Sequence, residues 1–185
     1  MDSSPKKPPE ILRRKTVAKS RLFEIEQLDL RFSNDVETQF ERLVSSPYGA
    51  VLAIPMLDDN TVLMIREYAA GVHRYELALP KGRMEENETP VYAANREMME
   101  EIGYGAKTLT HLTSFSLAPG YLSHITHIVL AQNLYPQKEQ GDEPEDIEVI
   151  PWKLSELNNL LNEAECTEAR SIAALFLARE ALKVI

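Results

Sequence analysis

Glu97, Glu100 and Glu101 fall at spacing i, i+3, i+4, so on a helix their carboxylates share one face. Uncompensated, they repel one another and weaken that helix. The cluster makes chemical sense if the face holds a divalent cation, since carboxylate oxygens are hard ligands suited to Mg²⁺, with Mn²⁺ as a substitute. Arg96 adjoins the cluster, and Gly82 and Gly103 bracket it, which suggests a loop–helix–loop cradle. The plain alternative is a solvated acidic face, and the placement of the glycines and the arginine weighs against it.

Several elements must position these residues. Residues 1–10 are rich in Pro and Lys and are expected to be disordered. Strands are expected in KTVAKS, RLFEIEQLDLRF and VETQFERLV, the last two joined by a hairpin turn at Ser33-Asn34-Asp35. That sheet is too small to be stable alone, so it should pack on the main domain, on a partner subunit, or on both. Ser45-Ser46-Pro47 marks a boundary between residues 1–46 and a main domain over 47–185. There AVLAIPML, TVLMIREY and RYELALP read as strands leading to Lys81-Gly82. Thr89 and Pro90 suit the N-cap and first position of the helix bearing the glutamates, and Gly103 suits its end. LTHLTSFSL, THIVLAQNLY and IEVIPW are further strands, SELNNLLNEA a helix, and Thr167–Val184 a final amphipathic helix. The fold class is α+β, with helices on the faces of a mixed sheet in an α/β/α sandwich and a small antiparallel sheet before it.

Net charge is −9 and belongs to residues 47–185, where 11 Lys and Arg meet 21 Asp and Glu, against 9 and 8 in residues 1–46. Such a surface disfavours nucleic acid as a partner, but not a small anionic substrate if cations intervene. No apolar run nears the roughly 18 residues of a membrane span. The start, MDSSPKKPPE, lacks the apolar core of a signal peptide, so the cytoplasm is the expected location, and the single cysteine, Cys166, fits a reducing compartment.

From Gly82 to Tyr104 the residues follow G-x5-E-x7-R-E-U-x-E-E-x-G-U, where U is apolar, with Glu88 and Arg96 at fixed positions and Tyr104 a looser fit to the last. This pattern resembles the box of the Nudix hydrolases. Pro119 in LAPGY and the loop GDEPEDIEV resemble its ADP-ribose pyrophosphatase-like branch, and SRLFEIEQLDLRFSN, LPKG and EARSIAALFLARE are similar to bacterial members that act on ADP compounds.

The resemblance implies hydrolysis of the pyrophosphate bond in ADP-ribose, NADH or diadenosine polyphosphates with release of AMP. It implies metal ligation by Glu97, Glu101 and Glu100, with the Lys81 carbonyl completing a site, and orientation of the carboxylates by Arg96. Glu88 would join that internal network. The general base would come from the loop, where Glu143 aligns best and Glu145 is next. Arg66 would contact the diphosphate, but the branch often has a second arginine where this chain has Ala69. Lys81, Arg74 and Arg83 are candidates to compensate, Glu76 is a candidate substrate contact, and substrate choice is expected to lie around Pro119 and Glu143. A homodimer through the N-terminal sheet is also implied. Competing readings are a GDP-mannose-type nucleotide-sugar hydrolase, an isomerase sharing the fold, and a non-catalytic nucleotide sensor. The intact glutamates weigh against the last. Tyr68 and Tyr121 are expected to pack rather than stack on a base, and His73 and His111 to lack ligand-like company.

Overall fold

A computed structural model describes residues 6–184, so half of the N-terminal segment expected to be disordered, residues 1–5, lies outside the described residues. The chain divides into two compact units, one running to Pro47 and taking in Ser116–His124, the other holding Tyr48–Phe115 and the chain from Ile125 on.

The first unit is an antiparallel sheet in the order β1-β2-β3, made of β1 (Glu10–Lys19), β2 (Glu24–Arg31) and β3 (Glu37–Val44). The hairpin turn forms where Asn34 and Asp35 predict it: Asn34 Oδ1 accepts from the Val36 N–H at 3.3 Å, and Asp35 takes a left-handed φ of 61°, which Asp tolerates. β1 begins five residues before KTVAKS, and all ten of its residues are exposed. The Leu43 N–H donates to the Tyr121 carbonyl at 2.8 Å, and the Ser123 N–H donates to that of Leu43 at 3.1 Å, tying the loop 116–124 to the end of β3.

The second unit contains β4 (Ala50–Pro55), β5 (Thr61–Ala69), β6 (Arg74–Ala78), β7 (Lys81–Arg83), α1 (Pro90–Glu101), β8 (Tyr104–Ser116), β9 (Ile125–Pro136), β10 (Glu148–Lys153), a 3₁₀ turn (Leu154–Glu156), α2 (Leu157–Leu160) and α3 (Ala169–Leu182). A four-stranded sheet runs β7-β4-β9-β8, with β4 parallel to β9 and antiparallel to β7; a second, antiparallel sheet runs β10-β5-β6. The apolar runs in β4, β5 and β9 are continuous because both faces are covered. Leu52, Ile54, Met64 and Ile128 join a core with Ala174 and Leu175 of α3, while Val51, Ala53, Ile65 and Val129 join a core with Ala93, Ala94 and Met98 of α1. Burying each large side chain of this kind contributes about 1.5–3 kcal/mol. The result is the expected α+β sandwich.

Two elements differ from expectation. Lys81-Gly82, read as a loop, lies in β7, which is too short to show a period and is held by pairing with Ala50–Leu52. The helix expected over SELNNLLNEA shrinks to the 3₁₀ turn and the single turn α2, where Asn158, Asn159 and Asn162 are poor helix formers and the Asn162 side chain donates to the Asn158 carbonyl. Among the described residues, no helix is long and apolar enough to cross a membrane.

Candidate active site

α1 starts as its sequence dictates. Thr89 Oγ1 accepts from the Tyr92 N–H at 3.4 Å, and Pro90 opens the helix. It ends before Gly103, whose φ of 74° favours glycine. Ala93, Ala94 and Met98 face the core, and two of the three glutamates are buried beside them, Glu97 at 7% exposure and Glu101 at 3%.

Gly82 makes room for Glu97. A Cβ at position 82 would lie 2.0 Å from the Glu97 carboxylate carbon, so β7 can approach α1 this closely only through a glycine. One residue earlier, the Lys81 N–H donates to Glu101 Oε2 at 3.0 Å. Burial pushes the Glu97 carboxyl up to about 7 against the opposing pull of Arg96, and that of Glu101 up to about 9 against the pull of Lys81.

Arg96 ties the cluster together. Its Nε and Nη2 donate to Glu88 at 2.9 and 3.1 Å, and Nη1 donates to Glu97 at 2.8 Å and Glu100 at 3.0 Å. Nη2 also reaches the Arg83 carbonyl of β7 at 3.0 Å. The bond from Arg96 holds the Glu88 carboxyl below its usual range, and Glu88 also caps the Glu85 N–H at 2.8 Å. Glu88 is thus an internal strut.

The acidic loop adds a third wall. Its start is pinned to the end of α1: the Glu139 N–H donates to the Met99 carbonyl at 3.0 Å, the Gln137 N–H to that of Gly103 at 2.9 Å, and Lys138 Nζ to that of Glu100. A Cβ at Gly141 would lie 2.3 Å from Glu143 Oε2 and 3.5 Å from Glu100 Cβ, which brings Glu143 to the glutamate face. The Glu143 charge is among those that raise Glu97. Glu100, Lys138, Gly141, Glu143 and Glu145 line a cleft of about 480 Å³. Glu145 is committed elsewhere, accepting from Tyr75 Oη at 2.7 Å.

Family models match along the chain, a NudE-type Nudix hydrolase N-terminal domain over residues 9–42 and a NUDIX domain over residues 47–176. The chain is a Nudix hydrolase. It is 47% identical to the ADP compounds hydrolase NudE of Escherichia coli (strain K12), over 95% of this chain and 94% of that one. It is 33% identical to an ADP-ribose pyrophosphatase of Bacillus subtilis (strain 168), over 89% and 91% respectively. A crystal structure of an ADP compounds hydrolase superposes with a TM-score of 0.90 at 45% identity, covering 98% of this chain and 97% of that one. The protein is therefore an enzyme, a pyrophosphatase of the Nudix family.

The Nudix box residues suit a divalent cation by donor type and by electrostatics. The donors are carboxylate oxygens, and two of the three carboxylates are buried where a positive charge would stabilise their ionised forms. No three acidic, histidine or cysteine side chains converge as a ready-made cage among the described residues, because Glu97 and Glu100 share Arg96 and Glu101 turns to the Lys81 N–H.

Other expected site residues lie in internal ion pairs. Arg66 is bridged to Glu148 and, at 2.9 Å, to Glu165. Lys81 Nζ is paired with Glu67. Glu76 is buried and engaged by Arg74 at 2.6 Å and by the Thr167 N–H at 3.1 Å, so it joins β6 to the start of α3. Those bonds outweigh the effect of burial and hold its carboxyl below the usual range. Arg74 is spent on the same contact, and the Arg83 side chain is exposed. Pro119 belongs with the N-terminal unit, in the loop where Ala118 takes a φ of 43°.

The tyrosine expectation needs correction, whereas the histidines join no metal-holding group among the described residues. His111 Nε2 lies 3.2 Å from Ser114 Oγ, which lies 2.8 Å from His127 Nδ1. His73 Nδ1 meets Tyr68 Oη at 2.6 Å. Tyr68 and Tyr121 are exposed rather than packed, Tyr68 near the end of β5 with edge-on contacts to His73 and Tyr75, and Tyr121 in the loop 116–124. Sequence reasoning missed Glu67, Tyr75 and Lys138, whose partners are distant in the chain and follow no local pattern.

Proposed function

We propose that the protein hydrolyses the pyrophosphate bond of ADP-linked compounds such as ADP-ribose, NADH and diadenosine polyphosphates, in a divalent-metal-dependent reaction that uses Mg²⁺ or alternatively Mn²⁺ and releases AMP. The observation that carries this is the pair of buried carboxylates, Glu97 and Glu101, held against Gly82 and Lys81. The activities for which the two relatives are named, on ADP compounds and ADP-ribose, support the substrate class. Glu97, Glu100 and Glu101, with the Lys81 carbonyl, would hold the ion. Bound there, it supplies positive charge that neutralises the diphosphate and eases deprotonation of water.

The side chains then divide the work. Arg96 fixes the carboxylates in register without transferring protons. Glu143 accepts a proton from the attacking water as its oxygen bonds to phosphorus and the P–O bond to the bridging oxygen breaks. Arg66 and Lys81 exchange their carboxylate partners for phosphate oxygens. AMP release in Mg²⁺ from ADP-ribose, NADH and diadenosine triphosphate, tested beside GDP-mannose and a nucleoside triphosphate, checks the reading. Inertness towards all five with metal bound would overturn it.

The N-terminal segment, residues 1–46, is proposed to make a homodimer. Exposed Ile11, Leu12, Val17 and Phe40 on its sheet support this, as does the fully exposed β1. Light scattering that finds a monomer refutes it. The lone buried thiol, Cys166, supports action in the cytoplasm.

A further inference from the structure

We propose that Tyr75 is a positioning residue for this reaction, its hydroxyl latching the loop that carries Glu143 by donating to Glu145. The proposal rests on the assignment of Glu143 above. Gln137, Lys138 and Glu139 fix the start of the loop to α1, and its end runs into β10, where Glu148 pairs with Arg66 on β5. Between these anchors, the Tyr75–Glu145 bond of 2.7 Å is the only hydrogen bond made to residues 140–147 among the described residues.

The latch has a rigid base. Tyr75 stands on β6, paired with β5, and its ring meets that of Tyr68 edge-on with centroids 6.0 Å apart. Only Pro144 separates Glu145 from Glu143. Proline fixes its own φ and restricts the residue before it, so a tether at Glu145 restrains the backbone of Glu143. Glu145 therefore serves as an acceptor for Tyr75 and leaves proton transfer to its neighbour.

Steady-state kinetics, Mg²⁺ titration and amide hydrogen exchange on Tyr75→Phe, Glu145→Ala, Glu145→Gln and the double variant Tyr75→Phe/Glu145→Ala test this. Tyr75→Phe and Glu145→Ala should each lower kcat about tenfold, and the double variant should lose no more than either. KM, Mg²⁺ affinity and Tm should stay put, and exchange over residues 141–147 should accelerate. Glu145→Gln keeps an acceptor oxygen and should retain most of the rate. Unchanged or raised kcat in Tyr75→Phe, additive losses, or a Glu145→Gln defect as deep as that of Glu143→Gln would overturn the latch. If the wild type hydrolyses no ADP compound, the functional reading fails separately. Loop exchange then decides the latch: faster exchange in Tyr75→Phe supports it and unchanged exchange overturns it.

Discussion

Gly82→Ala isolates the contact that seats Glu97. The new methyl would stand 2.0 Å from the carboxylate carbon where ordinary contact begins at 3.4 Å, so the carboxylate must withdraw by about 1.4 Å. Gly82 has no positive φ, and the obstacle is the tip of a flexible side chain, so the backbone tolerates alanine. The fold loses one charge-assisted bond, Arg96 to Glu97, of a type contributing about 1.5–3 kcal/mol. Arg96 keeps Glu88 and Glu100, and Glu97 gains hydration as it moves. The net cost is about 1–2 kcal/mol, or roughly 2–8 °C in Tm for a chain of this size. Catalysis should suffer more, because misplacing a reacting group by about 1 Å costs on the order of a hundredfold. The assay pairs thermal melts, with Mg²⁺ and with chelator, against AMP release from ADP-ribose. The expected variant is folded, at least about 100-fold slower, and no longer stabilised by Mg²⁺. Turnover within about threefold of wild type, with Mg²⁺ stabilisation intact, would refute the cradle. A variant that fails to fold would refute the tolerance assigned to the site.

Glu143→Gln should lower kcat by about 10²–10⁴ while Mg²⁺ affinity by calorimetry stays unchanged; near-normal turnover removes Glu143 from the base role. Arg96→Lys keeps the charge but loses the fork that bridges Glu88, Glu97, Glu100 and the Arg83 carbonyl, so melts should show a loss of about 1–3 kcal/mol and kcat should fall more than about tenfold. In chelator, stability should decline with rising pH. Between the unfolded carboxyl value of 4.5 and the folded values of about 7 for Glu97 and about 9 for Glu101, the native state binds more protons than the unfolded chain. Stability from this source is full below about pH 4.5 and is lost as pH rises through about 7 and 9. Tm in chelator should therefore fall by several degrees from about pH 5 to 9, with Mg²⁺ reducing the decline; Tm values that agree at both ends contradict the burial of these carboxylates.

The sandwich was legible because β4, β5 and β9 carry continuous apolar runs and α1 carries its own start and stop signals in Thr89, Pro90 and Gly103. The box glutamates were legible because helical spacing is a local property. What stayed hidden depends on distance in the chain. Nothing near Arg66 announces that Glu148 and Glu165 will meet it, 82 and 99 residues away. Glu76 resembles a substrate contact by position, yet Thr167 arrives from 91 residues on to hold it. β7 escaped because three residues have no period, and its existence rests on the pairing partner, β4.

The repulsion expected among Glu97, Glu100 and Glu101 is only partly relieved within the fold. Arg96 covers Glu97 and Glu100 but is shared with Glu88, and Glu101 has one backbone N–H in place of a full counter-charge. A structural role alone would favour replacing Glu101, at 3% exposure and pushed up to about 9, with an apolar residue of similar size, since buried carboxylates without a paired cation cost stability. Nor does packing alone call for Gly82 against Glu97, since an alanine opposite an apolar side chain would fill the same space. Two local rules are thus broken at one place, a buried charge on α1 and a missing side chain on β7, and the second serves the first, since the bare Gly82 backbone leaves room for the Glu97 carboxylate, whose charge a divalent cation would balance. Local conflict of this kind, in an otherwise consistent fold, is the physical mark of a site shaped by its chemistry.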